Sequence, residues 1–258
     1  EVDYISGASI MIRTSLWNEI GGFDELYVPA YCEDSDLAFE VRKRGFKVMY
    51  QPLSVVVHFE GISNGTDSST GIKHYQMINM KNFYQKWKDT LVSEHDENGM
   101  NVFRARERSQ KRKVLLMIDH YVPHFDKDAG SRTLFHYLKI FVSKGYSIKL
   151  IGDNFYKHEP YTTIFQQMGI EVLYGVYYAE NWENWIKLNG EEIDYIWINR
   201  PHISIKYIDI LREYTKARIM YYGMDLHFLR IQREYEVSHD KALIKESKEW
   251  QEKEFYLM

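Results

Sequence analysis

The sequence predicts an α/β protein in two parts, the second built on a doubly wound parallel sheet. Three observations carry that prediction. Short apolar runs at 114–118, 147–151, 170–173, 193–198 and 217–222 read as strands, the first of them apolar throughout as a strand buried on both faces is. Segments with helical periodicity alternate with these strands, the pattern of a doubly wound parallel sheet. A charged stretch across residues 88–113 separates this region from a glycine-punctuated region upstream, and so marks a division.

Bulk properties set the outer limits. A chain of 258 residues holds one large domain or two small ones. Hydrophobic content of 45% and charged content of 27% are ordinary for a folded protein, and the net charge of -4 argues against nucleic-acid binding. Cys32 is the single cysteine, which excludes a disulfide framework and fits a reducing, cytoplasmic compartment. Asn64-Gly65-Thr66 would matter as a glycosylation sequon only in a secretory compartment. No apolar run approaches the roughly 20 residues of a membrane span, and no signal-peptide pattern is visible. The chain opens on Glu1 and stops after a polar helix at 241–255, so it reads as a segment of a longer protein. The 21 tyrosines read first as packing residues and second as sugar-stacking surfaces.

In the first part, residues 4–12 read as a strand interrupted by Gly7-Ala8-Ser9. Residues 15–20 form a short helix stopped by Gly21-Gly22. Asp34 or Ser35 caps the next helix, whose apolar face is Leu37, Ala38 and Val41 and whose C′ residue is Gly45. Residues 46–50 and 54–58 read as strands split by Pro52, and 72–88 as an amphipathic helix. Residues 1–90 therefore form the first domain and 91–112 a charged linker. The basic cluster at 104–113 has two readings. A solvated connector is preferred; contact with anionic lipid at the inner face of a membrane is the other. Residues 113–258 form the second domain. There a helix through Leu134, Tyr137, Leu138 and Phe141 closes at Gly145, and further helices follow at 161–168 and 205–214.

The chemistry concentrates in Glu33-Asp34-Ser35-Asp36. A carboxylate at a helix N-terminus is stabilised in its ionised form. Beside a cleft it can take a proton from an attacking hydroxyl. Plain capping would explain one aspartate but not the acidic run. His58 ends a predicted strand, and with Asp34 or Asp36 nearby it could complete a divalent-metal site.

Gly7-Ala8-Ser9, Arg13, Gly21-Gly22-Phe23-Asp24-Glu25, Glu33-Asp34-Ser35-Asp36-Leu37, Arg42, Gly45, Pro52 and His58 stand in an order that resembles family 2 glycosyltransferases, of the GT-A fold. The resemblance covers roughly residues 1–65 and the acceptor-side half of such a domain. It implies Asp34 as the general base of an inverting displacement, with Glu33 positioning base or acceptor. It implies Gly7 and Ala8 lining the sugar pocket, with Asp36 and Arg42 at the substrate. His58 would approach a divalent metal, Mn or Mg, on the diphosphate leaving group. The family's metal-binding Asp-x-Asp belongs to a half not matched here. Asp34-Ser35-Asp36 opens a helix and reads as the base motif, and Asp126-Lys127-Asp128 sits in the other domain.

In the second part, Asp128-Ala129-Gly130-Ser131-Arg132 opens a helix after the first strand, a place suited to an anion. The full G-x-G-x-x-G fingerprint is missing, which argues against a nicotinamide dehydrogenase. The strand, this turn and Asp225-Leu226-His227-Phe228 resemble the Rossmann-like N-terminal domain of family 4 glycosyltransferases, of the GT-B fold. That resemblance implies an acceptor-binding domain that needs no metal or other cofactor. Gly130, Ser131, Arg132, Asp225 and His227 would face its cleft. A strand-end cap and a packed histidine explain Asp225 and His227 equally well.

Together the two resemblances imply a bacterial glycosyltransferase segment of polysaccharide biosynthesis. Its partners would be a nucleotide-sugar donor and a glycan or lipid-linked acceptor, with peripheral membrane association as a further expectation. A non-catalytic glycan-binding or scaffold module, or another nucleotide-sugar-binding α/β protein such as an epimerase, is the alternative.

Overall fold

The computed structural model describes residues 1–57, 71–97 and 99–258, and the chain divides into two compact units, Glu1–Gln110 and Lys111–Met258. His58 and the Asn64-Gly65-Thr66 sequon lie outside the described residues.

The first unit is helical. Helix α1 (Thr14–Ile20) ends where Gly21, at φ 91°, donates its N–H to the Trp17 carbonyl. Helix α2 (Glu33–Lys43) buries Leu37, Ala38, Phe39 and Val41, and Gly45 follows it at φ 80°. Left-handed backbone of this kind suits glycine because no Cβ opposes it. Helix α3 (His74–Glu94) runs six residues past the expected end at 88. It packs Phe83 and Trp87 on Phe39, with ring centroids 5.0 and 5.2 Å away. A one-turn helix, α4 (Val102–Ala105), follows. Within the stretch expected as a linker, Arg108 donates to Asp3 and, at 3.1 Å, to Glu94.

The strands expected at 4–12, 46–50 and 54–58 do not form among the described residues. Gly7–Ser9 is a 3-10 turn, capped by the Ser6 hydroxyl accepting from the Ala8 N–H. A bond from Val2 N–H to the Val48 carbonyl, 3.0 Å, ties the two segments. Strand propensity becomes a strand only where a neighbour supplies the ladder. Without one, Met11, Val55 and Val57 stay exposed.

The second unit is a three-layer α/β domain. Its strands are β1 (Val114–Asp119), β2 (Ser147–Gly152), β3 (Glu171–Leu173), β4 (Tyr195–Asn199) and β5 (Arg218–Tyr222). The spatial order is β3-β2-β1-β4-β5, all parallel, with Met117 opposite Leu150 and Trp197. Every residue of β1 and β2 is buried, as the apolar runs predict. Helices α5 (Ala129–Ser143), α6 (Tyr161–Gln167), α7 (Val176–Asn189) and α8 (Pro201–Tyr214) connect the strands, and α9 (His227–Ser238) and α10 (Ala242–Leu257) complete the unit.

Two of these helices escape the sequence reading for visible reasons. Asn181 breaks α7 with non-helical backbone, so no single apolar stripe runs through it. Helix α9 buries only Phe228 and Ile231 and is held from outside. Fully buried Glu254 of α10 accepts from the His227 and Phe228 N–H groups, at 3.0 and 3.1 Å, and so caps its first turn. Among the described residues no helix is long and apolar enough to cross a membrane.

Strand order reverses between β1 and β4. In sheets of this kind the crevice beyond the carboxyl ends at that reversal is where ligands bind. Asp119, Asn199 and the residues that follow them lie there.

Candidate functional site

In the first unit the acidic run is aimed by a strained turn. Tyr31 and Cys32 hold consecutive left-handed conformations, φ 77° and 75°, immediately before α2. Cys32 occupies the N-cap position without a side-chain bond, so neither Asp34 nor Ser35 caps the helix as expected. Asp34 sits inside the first turn, half-buried. Its Oδ2 accepts from the Gly7 N–H at 2.8 Å and its Oδ1 from the Ser35 N–H at 2.7 Å. A Cβ on Gly7 would stand 3.3 Å from the Asp34 Cβ. The space left by the missing side chain is thus taken by the Asp34 carboxylate itself. Ala8 is exposed beside it, and Glu33 Oε2 is buried with no partner among the described residues. Gly7, Ala8, Glu33 and Asp34 therefore come together. The three carboxylates of this turn, after burial itself, push the Cys32 thiol up to about 11.

Two predicted substrate residues are spent on the fold. Asp36 is 2% exposed. Its carboxylate accepts from the Tyr27 hydroxyl (2.9 Å), Trp87 Nε1 (2.7 Å) and Lys86 Nζ (2.9 Å). Helical geometry explains the correction: Asp36 is two residues from Asp34 and so faces the other way, into α3. Arg42 lies two turns further along α2. It donates to Asp3 at 3.0 Å and stacks on Phe39 at 4.0 Å.

Among the described residues no three His, Cys, Asp or Glu side chains converge as a metal site. The other Asp-x-Asp, Asp126-Lys127-Asp128, is engaged within its own unit. Asp126 accepts from the Tyr161 hydroxyl, and Asp128 caps α5 through the Ser131 N–H at 2.8 Å.

In the second unit the polar groups gather at the strand reversal. Asp119, fully buried at the end of β1, accepts from the His120 N–H (2.8 Å) and Arg200 Nε (2.9 Å) through Oδ1. Its Oδ2 has no partner among the described residues. Arg200 follows β4 in a conformation that favours glycine, φ 62°. Strain of that kind collects at functional sites. A Cβ on Gly130 would stand 3.4 Å from Arg200 Nη2, so the bare head of α5 faces the guanidinium. On the far side, His227 Nε2 lies 3.2 Å from Asp225, and its ring stacks on His202 with centroids 6.1 Å apart. Partial desolvation first, then the charges of His227, Arg200 and His120, hold the His202 imidazole below its ordinary range.

Gly130, Asp225 and His227 thus lie at this edge of the sheet. Ser131 does not offer itself to a ligand: it is fully buried and gives both N–H and hydroxyl to Asp128. Arg132 is exposed and donates to the Phe125 carbonyl at 3.4 Å. Asp119 and His120, which follow the first apolar run, carry no site role in the sequence reading, and Arg200 and His202 escape it altogether. The signal was there in a carboxylate ending an apolar strand, and in Asn199-Arg200-Pro201 at the matching end of its neighbour.

Each edge has a definite chemical capacity. Asp34 is a half-buried carboxylate oriented by a backbone amide, able to take a proton from a bound hydroxyl. The second edge offers the Arg200 guanidinium and the His202 and His227 imidazoles to a polar ligand, with the buried Asp119 carboxylate holding Arg200 in place.

Comparison with known proteins bears on the chemistry. Over 69 residues the chain is 36% identical to the N-acetylglucosaminyl-diphospho-decaprenol L-rhamnosyltransferases of two Mycobacterium tuberculosis strains, CDC 1551 / Oshkosh and ATCC 25618 / H37Rv. The aligned stretch spans 27% of this chain and 22% of the length of those relatives. No family model matches the chain, and no solved structure matches it. Over that stretch the chain is similar to a sugar-transferring enzyme.

Proposed function

We propose that the chain is a segment of a glycosyltransferase that moves a sugar from a nucleotide-sugar donor to a glycan or lipid-linked acceptor during bacterial polysaccharide assembly. The observation that carries this reading is Asp34, held by the Gly7 amide at the head of α2 beside Ala8 and Glu33. Similarity to the two rhamnosyltransferases supports it. Their names make a nucleotide-activated deoxyhexose and a polyprenyl-diphosphate-linked sugar the first donor and acceptor to try.

In this reading Asp34 accepts the proton of the acceptor hydroxyl as its oxygen attacks the anomeric carbon. The bond from that carbon to the diphosphate breaks, the nucleoside diphosphate leaves, and the configuration inverts. A positioned base of this kind is worth roughly 10²–10⁴-fold in rate. Glu33 stands next to the base and steers it or the acceptor. The second unit acts as an acceptor-side domain of the GT-B N-terminal type. Its strand order and its polar edge at Asp119, Arg200, Asp225 and His227 support that assignment.

The test is a transfer assay of the full-length parent protein across a panel of nucleotide sugars, with product configuration read by NMR. Transfer with inversion is expected from the first unit. Glycan binding without transfer from any donor would mark a scaffold instead.

A further inference from the structure

We infer that α3 is the brace that aims the candidate base, with Asn79, Lys86 and Trp87 as positioning residues for Asp34. This rests on the reading of Asp34 as the base.

Tyr31 and Cys32 stand side by side at φ 77° and 75°, a backbone that L side chains rarely adopt. Such a turn persists only where its surroundings over-determine it. Asn79, 1% exposed on α3, supplies one restraint. Its Nδ2 donates to the Tyr27 carbonyl at 2.8 Å and to the Ala30 carbonyl at 2.7 Å, the last fixed points before the turn. The other restraint grips α2 just past the turn. Trp87 Nε1 and Lys86 Nζ donate to the buried Asp36 carboxylate at 2.7 and 2.9 Å. Lys86 also reaches Asp24 at 2.9 Å and Glu40 at 3.4 Å, tying the preceding loop to the same knot. The Asp36 N–H closes the turn on the Cys32 carbonyl at 2.9 Å. One helix therefore holds both ends of a strained turn, and the residue that emerges from it is Asp34, fixed on Gly7.

A single cysteine makes the turn directly observable in the 258-residue chain. Cys32 sits in the strained position, and its thiol is pushed up to about 11 from 9.0 by burial and the neighbouring carboxylates. Releasing the turn would relieve the burial that holds the thiol up and open the sulfur to reagent; both raise its reactivity, by about tenfold after the loss of intrinsic nucleophilicity. Iodoacetamide labelling at pH 8 is expected to run about tenfold faster in Asn79→Ala and Lys86→Met, with Lys86→Arg close to wild type. Circular dichroism checks that each variant is folded. If Asn79→Ala does not fold, Trp87→Phe, which removes one donor and keeps the packing, carries the same expectation. Folded variants that label at the wild-type rate would overturn the brace. In the active parent, Asn79→Ala is expected to lower kcat with donor KM unchanged. Wild-type kcat beside accelerated labelling would show a turn uncoupled from Asp34 and would also refute it. Turnover by Asp34→Asn at wild-type level would instead remove the base reading and leave the labelling result standing.

Discussion

Replacing Asp36 with leucine is expected to loosen the first unit around its acidic helix. Leucine keeps the bulk but removes the acceptor for the Tyr27 hydroxyl and for Trp87 Nε1, both buried. Each donor left unsatisfied costs about 1–3 kcal/mol. Lys86 loses a charged partner but keeps Asp24 and Glu40 and is a quarter exposed, so its loss falls at the low end. The sum runs from about 2 to 7 kcal/mol, and the usual cost of breaking a buried charged contact, about 3–5 kcal/mol, lies in the middle of that range. Amide exchange followed by mass spectrometry reads it locally. Peptides from α2 and α3 should lose two to four decades of protection at about 1.4 kcal/mol per decade, up to the stability of the unit itself. Asp36→Asn, which retains an acceptor oxygen of the same shape, should lose far less. Wild-type protection in the Asp36→Leu peptides would refute a structural role for this carboxylate.

Two further outcomes follow from the second unit. Gly152→Ala would place a Cβ 2.8 Å from the Val122 nitrogen and 2.9 Å from the Tyr121 carbonyl carbon, against backbone that carries the loop to α5. It should cost about 1–3 kcal/mol and lower the melting temperature by a few degrees, read by calorimetry; an unchanged transition would show that the loop yields freely. His158 is held below its ordinary 6.5 by burial and by the nearby His124 and His120. The unfolded chain therefore binds its proton first. Stability is complete above pH 6.5 and falls as the pH drops below it toward the folded value. Urea titrations of wild type and His158→Gln between pH 7.5 and 5 should show a shallower decline in the variant, and parallel curves would count against the assignment.

The second unit was largely legible in the sequence because its strands are buried on both faces. Val114-Leu115-Leu116-Met117-Ile118 has no polar side to disguise it, and the parallel order follows from the alternation with helices. The first unit was less so. Its apolar segments at 4–12 and 46–57 carry strand composition, yet pairing is a property of a neighbour rather than of the segment. At the acidic run, local pattern singles out Asp34 and Asp36 alike and does not show which of them is buried. Whether a carboxylate stays half-exposed or turns into the core depends on two residues of helical rotation, which separates Asp34 from Asp36. The grip of Asn79 on Tyr27 and Ala30 spans about fifty residues and leaves no local trace. Arg200 and Asp119 are likewise joined across the sheet, and only the fold brings them together.

The most direct test concerns the one carboxylate on which the functional reading depends. In the full-length parent, Asp34→Asn keeps the shape of the side chain and an oxygen to accept the Gly7 N–H, but it cannot take up a proton from the acceptor. Turnover should fall by roughly 10²–10⁴-fold, with donor affinity by calorimetry close to wild type. Transfer at the wild-type rate would contradict the assignment of Asp34 as the base.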